Sequence, residues 1–386
     1  MFETAASGAR VKSLDVLRAA AIFLVLLQHS VLTQAWFKGG WSGVDLFFVL
    51  SGFLISGLLF MDFKRFGRIG VGRFLIRRGF KIYPPFYALM AWTVLMFFLY
   101  QGHLKVRLLL SELFFLQSYA GGMWSHTWSL AVEEHFYLVL PFLLILLCRI
   151  ARRREDPFHM LPGLFLVVAA GSLVLRLFMC SAGPRTFADI RFPTHLNVDA
   201  LLFGVVLSYF YHFRPGVCAL SERVPRGALL SLSIAFVAPC FFVDGSRSIF
   251  VQTFGHVMLY LGYGGVMLFA LTAPPVRGDA GVAAAARDSL AFVGKHSYSI
   301  YLWHVPIAYW GFEFLKRLGF LPQTGVVQFL LYVSTSLLLG IATSKLIEIP
   351  SLKVREVLFP AFGGTVGARA GHPARPLMVP ETADPA

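Results

Sequence analysis

Runs of about 20 apolar residues recur along the chain, and a helix of that length crosses the hydrocarbon of a bilayer. Backbone groups find no water there, so each run must satisfy its own hydrogen bonds as an α-helix. Spans are expected at Val16–Thr33, Val44–Met61, Ile82–Tyr100, Leu130–Cys148, Leu161–Cys180, Leu196–Tyr211, Ala228–Val243, Val251–Thr272, Tyr298–Leu315 and Val326–Lys345. The fold class is thus an all-α polytopic membrane protein with about ten transmembrane helices. Composition agrees: of 386 residues, 57% are hydrophobic and only 14% charged, where a soluble domain carries about a quarter. The stretch "LLLSELFFLQSY" (Leu108–Tyr119), at about 12 residues, is too short to span and reads as an interfacial or re-entrant helix.

The net charge of +14 would suggest nucleic acid in a soluble protein. Here no zinc spacing or helix-turn-helix signal supports that partner, and the basic residues cluster between spans. With the N-terminus inside, 25 of the 34 fall on the inner side, which predicts both termini in the cytoplasm. Residues 1–350 form the transmembrane domain in this reading, and residues 351–386 a cytoplasmic tail. Its end, "GGTVGARAGHPARPLMVPETADPA", is rich in Gly, Ala and Pro without apolar periodicity, the signature of disorder. No cleavable signal peptide precedes the first span, which would act as an uncleaved anchor. No second soluble domain and no transporter-like internal repeat is expected. Cys148, Cys180, Cys218 and Cys240 form no CxxC and read as apolar or free thiols, with no metal site.

Ionisable residues inside spans are costly and usually functional. In "SLDVLRAAAIFLVLLQHS", Arg18 and His29 are 11 residues apart, about three turns, so they share a face with Asp15 beside it. The plain alternative is a snorkelling arginine and a helix-packing histidine. The second span carries Asp45 at its outer end, then Ser51, Gly52, Ser56 and Gly57, a small-residue face suited to close packing. Arg73, Arg77, Arg78 and Lys81 precede "IYPPFY"; they fit either topology or a phosphate held at the membrane surface.

"WSLAVEEHFY" places Ser129, Glu133 and Tyr137 four residues apart, on one face at the outer level of His29 and Asp45. Glu133 and Glu134 in a first turn also favour the helix dipole, which leaves the hydroxyl companions unexplained. His195 and Asp199 make an HxxxD whose match to soluble acyltransferases is treated as coincidence. Ser297, Tyr301 and His304 share a face of the ninth span, and Glu348 closes the last one.

Taken in order, Arg-x10-His (Arg18, His29), "GVDLFFVLSGFLI", the basic patch before "IYP", "WSLAVEEHFY" and "GKHSYSIYLWH" resemble the membrane acyltransferase-3 family of bacterial O-acyltransferases, from about Ser13 to Pro350. One departure is Lys81, where the family usually has the second Arg of Arg-x-x-Arg; lysine keeps the charge and loses the fork. Members with a fused outer esterase-like domain are known, and none is seen here. The resemblance implies a multi-pass protein of the bacterial inner membrane. It would transfer an acyl group, commonly acetyl, from cytoplasmic acyl-CoA to a carbohydrate hydroxyl, often on a cell-envelope or exported sugar.

On that resemblance Arg18, Arg73, Arg77, Arg78 and Lys81 would hold the CoA phosphates. His29 would act as general base on the acceptor or carry the acyl group itself. Either Glu133 or Glu134 would partner it, with the family's ExxFY favouring Glu133. Asp15, Asp45, Ser51, Ser129, Tyr137, Asp199, Tyr301 and His304 would support the site or the acceptor. No bound cofactor is expected beyond acyl-CoA as co-substrate, and no partners beyond membrane lipids, donor and sugar acceptor. Two rival readings are a transporter using Asp15, Arg18, His29 and His304 as a proton relay, and a haem protein with His29 and His304 as axial ligands.

Overall fold

The computed structural model describes residues 12–30, 37–100, 103–151, 156–183, 186–217, 223–273, 281–320 and 324–360. Among them the regular structure is helical, with no strand. The main helices are α1 (Lys12–Gln28), α2 (Gly43–Phe66), α3 (Val71–Tyr100), α4 (Val106–Leu113), α5 (Trp128–Ile150), α6 (Leu161–Ser181), α7 (Val198–Phe213), α8 (Arg226–Val237), α9 (His256–Leu271), α10 (Val282–Lys295), α11 (Ser297–Arg317), α12 (Gly325–Thr343) and α13 (Ile349–Leu358). The expected short helix within Leu108–Tyr119 appears as α4 followed by one further turn, Gln117–Ala120.

Six stretches are long and apolar enough to cross a bilayer: Gly40–Phe66, Val71–Tyr100, Trp128–Ile150, Leu161–Ser181, Val251–Leu271 and Gly325–Leu358. The other four expected spans take different forms. α1 has 17 residues and α7 has 16. α8 stops at Val237, and the chain resumes as a single turn from Pro239, whose missing N–H suits a helix start and not an interior. α11 has 21 residues, but its tyrosines, tryptophans, histidine and charged last turn dilute its hydropathy. The segment expected to be a disordered tail from residue 351 is helical as far as Leu358; residues 361–386 lie outside the described residues.

α2 is the interior post: 78% of its apolar window is buried against other helices, against 17% for the stretch containing α12. Its closest neighbour is α7, and glycines let the two backbones touch. A Cβ at Gly52 would lie 1.9 Å from the carbonyl oxygen of Leu201, and one at Gly204 2.2 Å from that of Val49. The small-residue face of "LSGFLISG" thus serves helix packing, as such faces do in membranes. Gly294 on α10 meets the backbone of Asp15 on α1 in the same way.

Prolines set the other joints. Pro84 cannot donate to Phe80, four residues back, and the Ser351 hydroxyl of α13 takes that carbonyl at 2.6 Å. Arg77 forks onto Glu356 of α13 at 2.9 and 3.3 Å and reaches the carbonyl of Phe359; Arg73 donates to that of Pro360. The helix that follows the last span is therefore strapped to the basic end of α3. At that same end, marked by the N-terminus of α1, Lys12 pairs with Asp288 at 3.0 Å. At the opposite end of α1, the Trp41 backbone N–H donates to Gln28 at 3.1 Å.

Candidate active site

A cavity opens among α1, α2, α3, α5 and α11. Arg18, Arg78 and Lys81 supply its cations, Glu133 and Glu134 its acids, and Ser51, Ser129 and Ser297 its hydroxyls. Phe47, Phe48, Ile82, Leu130 and the rings of Tyr298 and Tyr301 make the remaining wall largely apolar. Five helices separated by up to some 280 residues of chain thus bring seven of the fifteen expected site residues together: Arg18, Ser51, Arg78, Lys81, Ser129, Glu133 and Tyr301.

Each polar group is held in a defined way. Tyr137, one turn after Glu133, donates its hydroxyl to Glu133 at 2.8 Å and accepts from Arg78 at 2.7 Å. The Arg78 guanidinium also lies 4.4 Å from the centre of the Tyr137 ring, and the Ser51 hydroxyl completes the cluster. Two buried atoms of this wall, Arg78 Nε and Glu134 Oε1, have no hydrogen-bond partner among the described residues. Lys81 pairs with Glu348 at 3.1 Å, and the same carboxylate accepts from Ser299 at 2.7 Å and Ser344 at 3.0 Å. Glu348 ends a π-helical turn, Ser344–Glu348, a form of helix distortion often found at functional sites.

Arg73 and Arg77 do not line the cavity. Their partners are α13 and the residues after it, so the expected five-cation cluster divides into Arg18, Arg78 and Lys81 within and two arginines under the strap.

His29 follows the last residue of α1 and also lies outside the lining of the cavity. Its Nδ1 is 3.0 Å from the Val25 carbonyl oxygen and 3.4 Å from His304 Nε2, and the two rings meet edge to face with centroids 4.9 Å apart. His126 also packs edge to face with His304, with centroids 4.8 Å apart. Tyr301 joins this histidine cluster to the cavity. Its ring is 5.4 Å from that of His304, and its hydroxyl sits 2.6 Å from Ser129 Oγ while donating to the His126 carbonyl at 2.7 Å.

Among the described residues no hydrogen bond joins His29 to Glu133 or Glu134. The pairing expected from the sequence is replaced by His29 with His304, because Tyr137 and Arg78 hold Glu133 on the cavity side of α5. The direct contact between His29 and His304 also leaves no slot for a haem between them.

Two expected supporting acids belong to buried ion pairs. Asp45 receives both Nη atoms of Arg191, at 3.0 and 2.5 Å, with His256 Nδ1 3.6 Å away. Arg191 is sandwiched by Trp41 and Trp128, at 4.9 and 5.2 Å. Asp199 accepts from Arg176 at 2.8 and 2.9 Å, whereas His195 is exposed beside Tyr119, so the HxxxD pair is split. Asp15 is buried where α10 crosses α1.

Sequence reasoning missed Arg191, Arg176, His126 and Glu112. Two of them left a signal: Glu112 is an acid in an apolar helix, and for His126, Pro306 cannot donate to Leu302, whose freed carbonyl His126 Nε2 takes at 3.1 Å. Burial, and then the neighbouring His29, push His126 down to about 3. Glu112, wholly buried at the short helix α4, accepts from Thr127 at 2.8 Å and from the Trp124 N–H at 3.2 Å. Among the described residues no group of His, Cys, Asp and Glu could hold a metal ion. Cys148, Cys180 and Cys240 are free thiols, and Cys218 lies outside the described residues.

Comparison with known proteins adds a family. The family described as an acyltransferase domain matches residues 11–345. The O-acetyltransferase OatA of Staphylococcus aureus (strain NCTC 8325 / PS 47) is 25% identical, covering 95% of this chain and 60% of its own length. The peptidoglycan O-acetyltransferase OatA of Listeria monocytogenes serovar 1/2a is 26% identical, covering 89% of this chain and 56% of its own. The chain thus spans less than two thirds of these relatives. No solved structure matches it.

Proposed function

The chain belongs to that acyltransferase family, and from this premise we propose that it moves an acetyl group from acyl-CoA to a hydroxyl of a cell-envelope carbohydrate. The observation that carries the reading is the cavity itself. It holds cations at one level and joins a histidine through Tyr301 at another, and its wall leaves Arg78 Nε and Glu134 Oε1 free for a substrate's polar groups. The name of the Listeria relative favours a glycan such as peptidoglycan as acceptor.

The proposed division of labour assigns each group a role. The CoA phosphates bind at the cytoplasmic end on Arg18, Arg78 and Lys81, with Arg73 and Arg77 exchanging their contacts to α13 for phosphate. The thioester arm lies along the apolar wall of Phe47, Phe48 and Ile82. His29 takes the acceptor's proton, or carries the acyl group before passing it on. Glu133, held by Tyr137 and Arg78, orients the reacting groups from the cavity wall, with Ser51, Ser129 and Tyr301 beside it. In this arrangement the protein is a ten-span protein of the inner membrane with both termini cytoplasmic, so donor and acceptor approach from opposite sides.

Release of free CoA from acetyl-CoA by purified protein in nanodiscs tests the reading. Slow release is expected even without acceptor, and His29→Ala is expected to abolish it while leaving the protein folded. Full turnover in His29→Ala would remove His29 from the chemistry. Absence of both acetyl-CoA binding and turnover in folded wild type would remove the donor.

A further inference from the structure

We propose that His304 is the positioning residue of His29, holding its imidazole in the one tautomer that can act as a base; this rests on the reading of His29 above. The tautomers follow from partners that can only accept. Val25 O lies 3.0 Å from His29 Nδ1, so Nδ1 carries the proton. The carbonyl of Tyr301 faces His304 Nδ1, so that nitrogen is also protonated and His304 Nε2 presents a lone pair. The 3.4 Å contact from His29 Nδ1 to His304 Nε2 then has a donor on one side and an acceptor on the other. His29 Nε2 is left bare, as a general base requires.

The surroundings hold His304 in place. It is wholly buried on α11, and both His29 and His126 pack edge to face with its ring. His126 in turn is fixed by its bond to the Leu302 carbonyl, one turn before Pro306. Of the three histidines, His126 and His304 are buried and His29 alone is partly exposed. Partial exposure makes His29 the one ring of the three open to a substrate hydroxyl.

The proton count closes. Nε2 of His29 takes the acceptor's hydroxyl proton as its oxygen attacks the thioester carbonyl. The imidazolium keeps Nδ1–H, shared by Val25 O and His304 Nε2, and Nε2 returns its proton to the departing thiolate. Here a neutral imidazole does the orienting that a carboxylate does in hydrolase triads. It stabilises the imidazolium less than a carboxylate would, so its loss should cost less than loss of a triad acid.

The test is ¹⁵N NMR of histidine-labelled protein in nanodiscs, with His29 assigned from the signal lost in His29→Asn. In wild type His29 should show a protonated Nδ1 and a bare Nε2. His304→Leu should give a mixture of both tautomers and lower kcat for CoA release by about 10–100-fold with KM unchanged. His304→Gln, whose amide oxygen can accept from His29, should recover part of both. A protonated Nε2 on His29 in wild type overturns the proposal without any variant having to fold. So does an unchanged tautomer ratio in a folded His304→Leu. The expected tautomers together with full turnover in His29→Ala would instead refute the assignment of His29 as base and leave the positioning contact standing.

Discussion

Among the described residues no cation pairs with the Glu112 carboxyl. Its Oε1 accepts two hydrogen bonds, its Oε2 has no partner, and burial pushes it up to about 7 from the usual 4.5. Below pH 4.5 it is protonated whether the protein is folded or not. Between about 4.5 and 7 the unfolded chain releases the proton and the folded one keeps it, so stability falls as pH rises through that window. The apparent unfolding midpoint, scanned at one rate, should therefore drop between about pH 4.5 and 7, and Glu112→Gln should flatten the drop. An equal slope in both proteins would mean that Glu112 does not control it. A residue of this kind is poorly legible in sequence: "LLLSELFFLQ" shows an acid in an apolar helix, but its partners Trp124 and Thr127 come from the next loop. Arg176 and Arg191 were hidden differently. They were counted among the nine outer basic residues, and a charge count has no term for a guanidinium folded inward onto Asp199 or Asp45.

Helices were easier to read than their partners. The apolar runs of α2, α3, α5 and α6 sit where hydropathy placed them, because the bilayer imposes the period directly. The small-residue face of α2 was also visible, though nothing in it named α7. That contact makes a test of packing. Gly52→Ala forces a methyl group to within 1.9 Å of a backbone oxygen that cannot turn aside; overpacking of this kind costs about 1–3 kcal/mol or more. Gly171→Ala, on the outer face of α6 with nothing within 4 Å, should be neutral or gain up to about 1 kcal/mol from helix propensity. Thermal unfolding in detergent should separate the two. Equal midpoints would show that α2 and α7 are not in backbone contact. The expected pair of His29 and Glu133 failed for a related reason. Spacing on one helix shows which side chains share a face, but the rotation of that helix against its neighbours is set by packing, and here it turns Glu133 towards Arg78.

For the whole molecule the charge count makes a definite statement about sidedness. Arg247 lies in the loop before α9 and Asp288 on α10, and both are exposed. With the native cysteines replaced, Arg247→Cys should react with a membrane-impermeant maleimide on intact cells, and Asp288→Cys only after permeabilisation. The opposite pattern would put the histidine cluster on the cytoplasmic side and reverse the proposed direction of transfer. The histidine cluster, by contrast, was not legible as a unit. Its members come from residues 29, 126 and 304, and only the fold shows that they meet.

The backbone contact between α2 and α7 has a mechanical consequence. α2 supplies Val44, Phe47, Phe48 and Ser51 to the cavity, and it is locked to α7 by interlocking glycines and to Arg191 through Asp45. It behaves as a stator. The facing wall carries prolines inside its helices, Pro84 and Pro85 in α3 and Pro306 in α11, where each interrupts the helix's own hydrogen-bond ladder, so that wall is expected to yield before α2 does. The hinge of such a machine lies at its prolines, and its fixed frame at its glycines.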